Sequence, residues 1–171
     1  MTDQHSLVTD SLTLRAPDRR DWPAYADFME SPAARFFKGH GDVLEAWKSF
    51  GTLIWHWIDR GYGPWAVTET GDDSCIGIVG PKCPPSWPEG EITWIAFAPA
   101  AGRGIAHEAA RAALGDAFTR LGWTSAVSYI EDDNLPSIRL AERLGATRDD
   151  SAPVPGGPVH AWRHPLPEVL A

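Results

Sequence analysis

Cysteine is scarce in this 171-residue chain, which has only Cys75 and Cys83. Two cysteines at that spacing make neither a disulfide framework nor a CxxC zinc or redox site, so a reducing cytoplasm is the expected setting. Positive charge is also short, with 15 Lys and Arg against 23 Asp and Glu and a formal net charge of -8. Nucleic acid and anionic membranes are bound by clustered Lys and Arg, so neither is expected as the main partner. No apolar run approaches the length of a membrane span. The opening "MTDQHSLVTDSL" lacks the basic and apolar regions of a signal peptide. His40, His107 and His164 have no spacing that suggests a metal, and no metal is expected.

What is present is ordinary for a globular protein, with 43% hydrophobic and 22% charged residues, and long enough to bury a core as one domain over residues 1–171. The nine tryptophans are unusual. Most are expected in the core, with a few lining a pocket.

The periodicity predicts a first strand in "LVTDSLTLRA" and a helix after Asp18 or Asp21 carrying Trp22, Tyr25 and Phe28 inward. "SPAARFFKGHG" reads as a broken connector. A second helix runs through "DVLEAWKSFGTLIWHWIDRG", with Gly61 as its stop. "PWAVTET", "GDDS" and "CIGIVG" read as a hairpin, and "EGEITWIAF" as the next strand. A helix from about Gly104 to Leu121 follows, with Ala110, Leu114, Ala117, Phe118 and Leu121 on one face. "WTSAVSYI" is a strand and "NLPSIRLAERLG" a short helix with Pro136 in its first turn and Gly145 past its end. "PVHAWRH" is the last strand. The order β-α-α-β-β-β-α-β-α-β predicts a mixed α/β domain with a meander in the middle and parallel crossovers among its later units.

"APAAGRGIAHEAARAALGDAF" sets a glycine turn at the mouth of a helix. "GRGIA" lacks the GxGxxG spacing of a dinucleotide site, and no Gly-Lys-Ser/Thr follows to make a P-loop. Consecutive N–H groups from Gly102 through Arg103, Gly104 and Ile105 to Ala106 can still converge on an anion, with the helix start adding roughly half a positive charge. Glycine keeps side chains out of that approach, and Arg103 adds charge of its own.

Four segments, in order, resemble the GNAT family of N-acetyltransferases and within it the RimJ/RimL-like branch, named for ribosomal-protein N-terminal acetyltransferases. "TDSLTLRAPDRRDWPAYADFMESP" is similar to the opening strand and helix. "EITWIAFAPAAGRGIAHEAARA" is similar to the cofactor strand and pyrophosphate turn, "NLPSIRLAERLGAT" to the second cofactor segment and "AWRHP" to the closing strand. The resemblance implies a mixed, mostly antiparallel central sheet flanked by helices. It also implies acetyl-CoA as cosubstrate, with its pyrophosphate on the Gly102–Ala106 turn. Ala101 departs from the family, which has Gln or Arg there.

The same resemblance implies site roles. Glu91 matches a Glu proposed as general base, directly or through water. Burial beside tryptophans would raise its pKa toward a useful value. As a bare strand residue it could equally be an edge carboxylate in solvent. Ser137 matches a Ser placed near the sulfur, where it can return a proton to the thiolate; a Ser in a first helical turn is also often only a cap. The Tyr that many members place one turn further on is Ala141 here. Asn134 reads as an N-cap, a pantetheine contact, or both. Arg139 reads as a phosphate contact or as an exposed helix residue. The strand end Ile95, Ala96 and Phe97 offers its backbone to the pantetheine amides, like an added strand. Phe36, Phe37, Trp47, Trp55 and Trp57 fall where the family places acceptor-side elements, and most are expected in the core.

Two functions follow. One is transfer of an acetyl group to a primary amine, on a peptide or a small molecule, in the cytoplasm; a homodimer is compatible with it. The other is a non-catalytic acyl-CoA-binding or sensory protein on the same fold.

Overall fold

The computed structural model describes residues 5–167. Its strands are β1 (Leu7–Val8), β2 (Leu12–Arg15), β3 (Trp65–Glu69), β4 (Gly77–Lys82), β5 (Glu91–Ala96), β6 (Val127–Glu131), β7 (Thr147–Arg148) and β8 (Val159–Arg163). They form one sheet in the order β1-β2-β3-β4-β5-β6-β8-β7. Every pairing is antiparallel except β5 with β6. The helices are α1 (Trp22–Glu30), α2 (Val43–Arg60), α3 (Ile105–Thr119) and α4 (Leu135–Arg143). No helix among the described residues is long and apolar enough to cross a membrane.

Alternation along the strands divides the core between the two faces of the sheet. Ile92 and Trp94 of β5 pack with Ala109, Ala113 and Ala117 of α3. Ile95 and Phe97 pack on the other side with Tyr25 and Phe28 of α1 and Phe50 of α2. Small alanines on the inner stripe of α3 bring it close to the strands. The predicted face of α3 is the buried one, with Ala110, Leu114, Ala117 and Phe118 buried and Leu121 half-buried beyond its end.

Several boundaries differ from the sequence expectation. The first strand is a small hairpin of two, because the Thr9 and Ser11 hydroxyls and the Ser11 N–H donate to the Glu108 carboxylate and bend the chain between them. The central hairpin pairs Trp65 with Val79 and Val67 with Gly77, so β4 starts and ends two residues later than expected. Of the later units only β5–α3–β6 is a parallel crossover; β8 returns antiparallel beside β6, with the unforeseen β7 on its edge. The connector contains a 3-10 turn, Pro32–Phe36.

Helix ends follow local chemistry. Asp18 caps the 3-10 turn before α1, and Asp21 completes that capping box by accepting from the Asp18 N–H; Asp21 does not cap α1 itself and also receives the Arg15 guanidinium at 2.7 and 2.9 Å. Asp42 caps α2 by accepting from the Leu44 and Glu45 N–H groups, and Gly61 ends it in the left-handed conformation.

Candidate active site

The parallel pair is where the sheet opens. β5 and β6 share one registered pair, Glu91 with Val127. Beyond it the ladder is replaced by a side chain: the Ser128 hydroxyl donates to the Ile92 carbonyl at 2.6 Å. With its hydrogen committed there, Ser128 Oγ accepts from His164 Nε2 at 2.9 Å. The imidazole is thereby the Nε2–H tautomer, and its buried Nδ1 has no partner among the described residues. Burial pushes the His164 pKa down to about 4.

Two cavities flank this opening. The first, about 610 Å³, lies between the end of β5, the start of α3 and the start of α4. Ile95, Ala96, Gly102, Gly104, Ala106, Asn134, Ser137 and Arg139 line it. Gly102 and Gly104 have φ of +72° and +79°, a left-handed backbone that favours glycine. A Cβ at either would meet nothing within 4 Å, so backbone conformation, not crowding within the fold, selects glycine. The first amide of α3 to reach a carbonyl is that of Glu108, bonded to Gly104. The preceding N–H groups, from Gly104 to His107, have no protein acceptor among the described residues and form a free donor cluster. Arg35 and Arg143, which sequence reasoning missed, also line this cavity. Together with Arg139 they have no carboxylate in ion-pairing range among the described residues, whereas Arg103, Arg148 and Arg163 are all paired. Three guanidinium groups without a carboxylate partner thus stand beside free helix amides in an acidic chain, Arg35 lying 4.3 Å over the Phe36 ring.

Three expectations are corrected. Arg103 does not face the cavity: its guanidinium bonds the Pro99 carbonyl and pairs with Glu69 at 2.5 Å. The Phe97 N–H donates to the Ile76 carbonyl and its ring packs against Tyr25 and Phe28, and the β4 register turns the Ile95 backbone the same way, so the free edge of β5 presents Trp94 and Ala96 but neither Ile95 nor Phe97.

The second cavity, about 550 Å³, opens on the other side and shares Phe36, Phe37, Trp94, Asn134 and Ser137 with the first. Glu91 is in its wall, buried at 6% exposure. A tryptophan does hold it, but from the preceding loop and not from its own strand. Trp87 Nε1 donates to Glu91 Oε2 at 2.5 Å and the Lys82 ammonium lies 3.4 Å from the same oxygen. Trp94 instead donates from Nε1 to Ser137 Oγ at 3.2 Å. Asn134 Oδ1 accepts from the Ser137 N–H at 3.3 Å, so it is the N-cap of α4 while also lining both cavities. Ala141 is fully buried, leaving Ser137 as the hydroxyl that α4 brings to the junction.

The loop that carries Trp87 is tied down at both ends. The Cys83 N–H donates to His56 Nε2 at 3.0 Å, while His56 Nδ1 bonds the Tyr62 carbonyl at 2.7 Å. Burial lowers the His56 pKa, which suits the neutral ring this geometry needs. At the far end Arg163 forks onto Glu89 with two bonds of 3.0 Å and holds that carboxyl below its usual range. Tyr129 of β6 also lines the cavity. Burial, with the charges of Glu89 and Glu91 adding to it, pushes its pKa up to about 12. Lys82, Trp87 and Tyr129 were missed from sequence; the crowded "PPSWPEG" just before Glu91 was the available signal.

Among the acceptor-side aromatics, Phe36 and Phe37 line both cavities. Trp57 is core, with Nε1 donating to the Pro64 carbonyl. Trp47 and Trp55 are neither core nor pocket, at 61% and 60% exposed. Among the described residues no group of His, Cys, Asp or Glu is arranged to hold a metal.

Residues 11–147 match the family model described as an acetyltransferase (GNAT) domain. The chain belongs to the GNAT acetyltransferase family. It is similar to an acetyltransferase from Agrobacterium tumefaciens, 34% identical, with a TM-score of 0.87 over 95% of both chains. A GNAT-family acetyltransferase from Bacillus anthracis shares the fold, at 18% identity and a TM-score of 0.71, covering 94% of this chain and 96% of that one. So does RimL, a ribosomal L7/L12 alpha-N-protein acetyltransferase, whose complex with coenzyme A aligns at 17% identity and a TM-score of 0.67 over 94% and 96% of the two chains. The mostly antiparallel sheet opened at one parallel pair is the GNAT fold, as the resemblance implied.

Proposed function

We propose that this chain transfers an acetyl group from acetyl-CoA to a primary amine by direct attack on the thioester, as a RimJ/RimL-like GNAT enzyme. The observation that carries the reading is the pair of cavities joined at Trp94, Asn134 and Ser137, one walled by free backbone donors and the other by a buried carboxylate. The pyrophosphate of the cosubstrate sits on the N–H groups at the start of α3, with Arg35, Arg139 and Arg143 around it. Its pantetheine arm runs along the free edge of β5 past Ala96 and Trp94 toward the junction, and the acceptor enters from the Glu91 side.

Attack requires a neutral amine. The Lys82 ammonium disfavours a second cation at the Glu91 carboxylate, so the acceptor gives up its ammonium proton to solvent as it arrives there. As the neutral amine attacks and the new C–N bond forms, Glu91 takes, directly or through water, the second proton that the nitrogen must shed, and the C–S bond breaks. The Trp94 indole occupies a lone pair of Ser137 Oγ, leaving the Ser137 hydrogen free to meet the departing thiolate. A thiol pKa near 8.5 makes the sulfur a good leaving group, so this last transfer contributes little.

Thiol release from acetyl-CoA, measured against peptides, amino acids, polyamines and aminoglycosides, tests the proposal. Turnover with at least one amine is expected. Coenzyme A binding without turnover across the whole panel would instead favour the non-catalytic reading.

A further inference from the structure

Helix α2 is apolar on two sides, about 120° apart around its axis. Its inner side, with Ala46, Phe50 and Trp57, is buried against the body of the protein. Its outer side exposes Leu44 (57%), Trp47 (61%), Trp55 (60%) and Ile58 (65%), with Val43 (67%) at the edge. A helix that is apolar on both sides is made to be covered on both.

The outer stripe has a symmetry of its own. Counted from Gly51, Leu44 and Trp47 lie as many residues before it as Ile58 and Trp55 lie after it. At ~100° per residue these four side chains and Gly51 share an arc of about 80° and a length of about 21 Å. Glycine at a helix centre weakens the helix relative to alanine. Nothing in this fold requires it, since a Cβ at Gly51 would meet no atom within 4 Å. What an exposed central glycine permits is close approach by a second backbone.

From these observations we propose that α2 is the interface of a two-fold symmetric homodimer whose axis runs between the two copies of α2 at the level of Gly51. An antiparallel second copy of α2 sets Trp47 at the level of the partner's Trp55 and Leu44 at the level of the partner's Ile58, the isologous arrangement a two-fold demands. The five side chains offer on the order of 700 Å² per subunit, close to the ~800 Å² that one partner buries in a stable interface. Paired tryptophans at the centre of such a patch are the residue type that anchors interfaces. The inference is independent of the catalytic reading.

Sedimentation or light scattering of the purified chain tests it. The expected species has twice the 18.7 kDa chain mass, and Trp47→Glu with Trp55→Glu returns it to 18.7 kDa. Gly51→Ala should weaken dimerisation by tenfold or more while raising the thermal midpoint of the subunit, a combination a purely structural role would not produce. Gly51→Cys should form a disulfide-linked dimer on mild oxidation, whereas Arg111→Cys, exposed on α3, should not. A monomer at high micromolar concentration would overturn the proposal. So would a dimer that survives both tryptophan substitutions, or one that Gly51→Cys fails to cross-link.

Discussion

The two cavities are built by different means. The cavity at the start of α3 depends on main chain: two left-handed glycines, the unpaired amides that open α3, and the free edge of β5. The cavity around Glu91 depends on side chains drawn from separate parts of the chain: Lys82, Trp87, Glu91 and Tyr129, with the turn at residues 155–158. A main-chain site recognises what every member of a family shares. A side-chain site can be rebuilt without disturbing the fold, which is where acceptor choice can diverge.

That difference decides what the sequence could reveal. The turn at 102–106 announces itself because left-handed backbone needs glycine and the helix after it has clear periodicity. Asn134 and Ser137 stand out for a similar reason, as a cap before a proline-started helix. Lys82 and Tyr129 carry no local signal, since only the β4–β5 and β5–β6 registers bring them to Glu91, and Trp87 is marked only by the crowded loop around it. Arg103 misled for the converse reason: its place in the turn suggested a phosphate contact, but Glu69 on β3 captures it. The general order of elements could be read from the 3.6 and 2 residue periods, while the edge strands β1 and β7, of two residues each, are too short to show one.

The strongest test of the comparison is on the seam between the cavities. Folded His164 stays neutral down to about pH 4, whereas the unfolded chain protonates it near its ordinary 6.5. The unfolded state therefore binds more protons in that window, and stability falls as pH drops from about 6.5 to 4, by up to about 3 kcal/mol. Denaturant melts across that range should show the loss in wild type and a flatter profile in His164→Gln. Equal slopes would remove His164 from the account of the seam.

Next in size is Glu91→Gln, which removes a charge at nearly constant shape. Turnover should fall by about two orders of magnitude. The wild-type pH–rate profile should differ in form from that of the variant, and superimposable profiles with similar rates would make Glu91 a bystander. Ser137→Ala should cost tenfold or less, because the thiolate leaves readily. A complete loss of turnover with coenzyme A affinity intact would show the hydroxyl to be essential. Smallest is Arg143→Ala, at an exposed position. Coenzyme A should bind a few-fold more weakly, and the difference should shrink as salt is raised.

Calorimetric titration of coenzyme A into wild type, Gly104→Asp and Glu91→Gln addresses the division between the cavities most directly. Gly104→Asp puts a carboxylate into the amide cluster at a position of +79° φ, and affinity should fall at least a hundredfold, about 3 kcal/mol. Glu91→Gln should bind as wild type does. Unchanged affinity in Gly104→Asp, or a matching loss in Glu91→Gln, would contradict the assignment of the two cavities to two substrates.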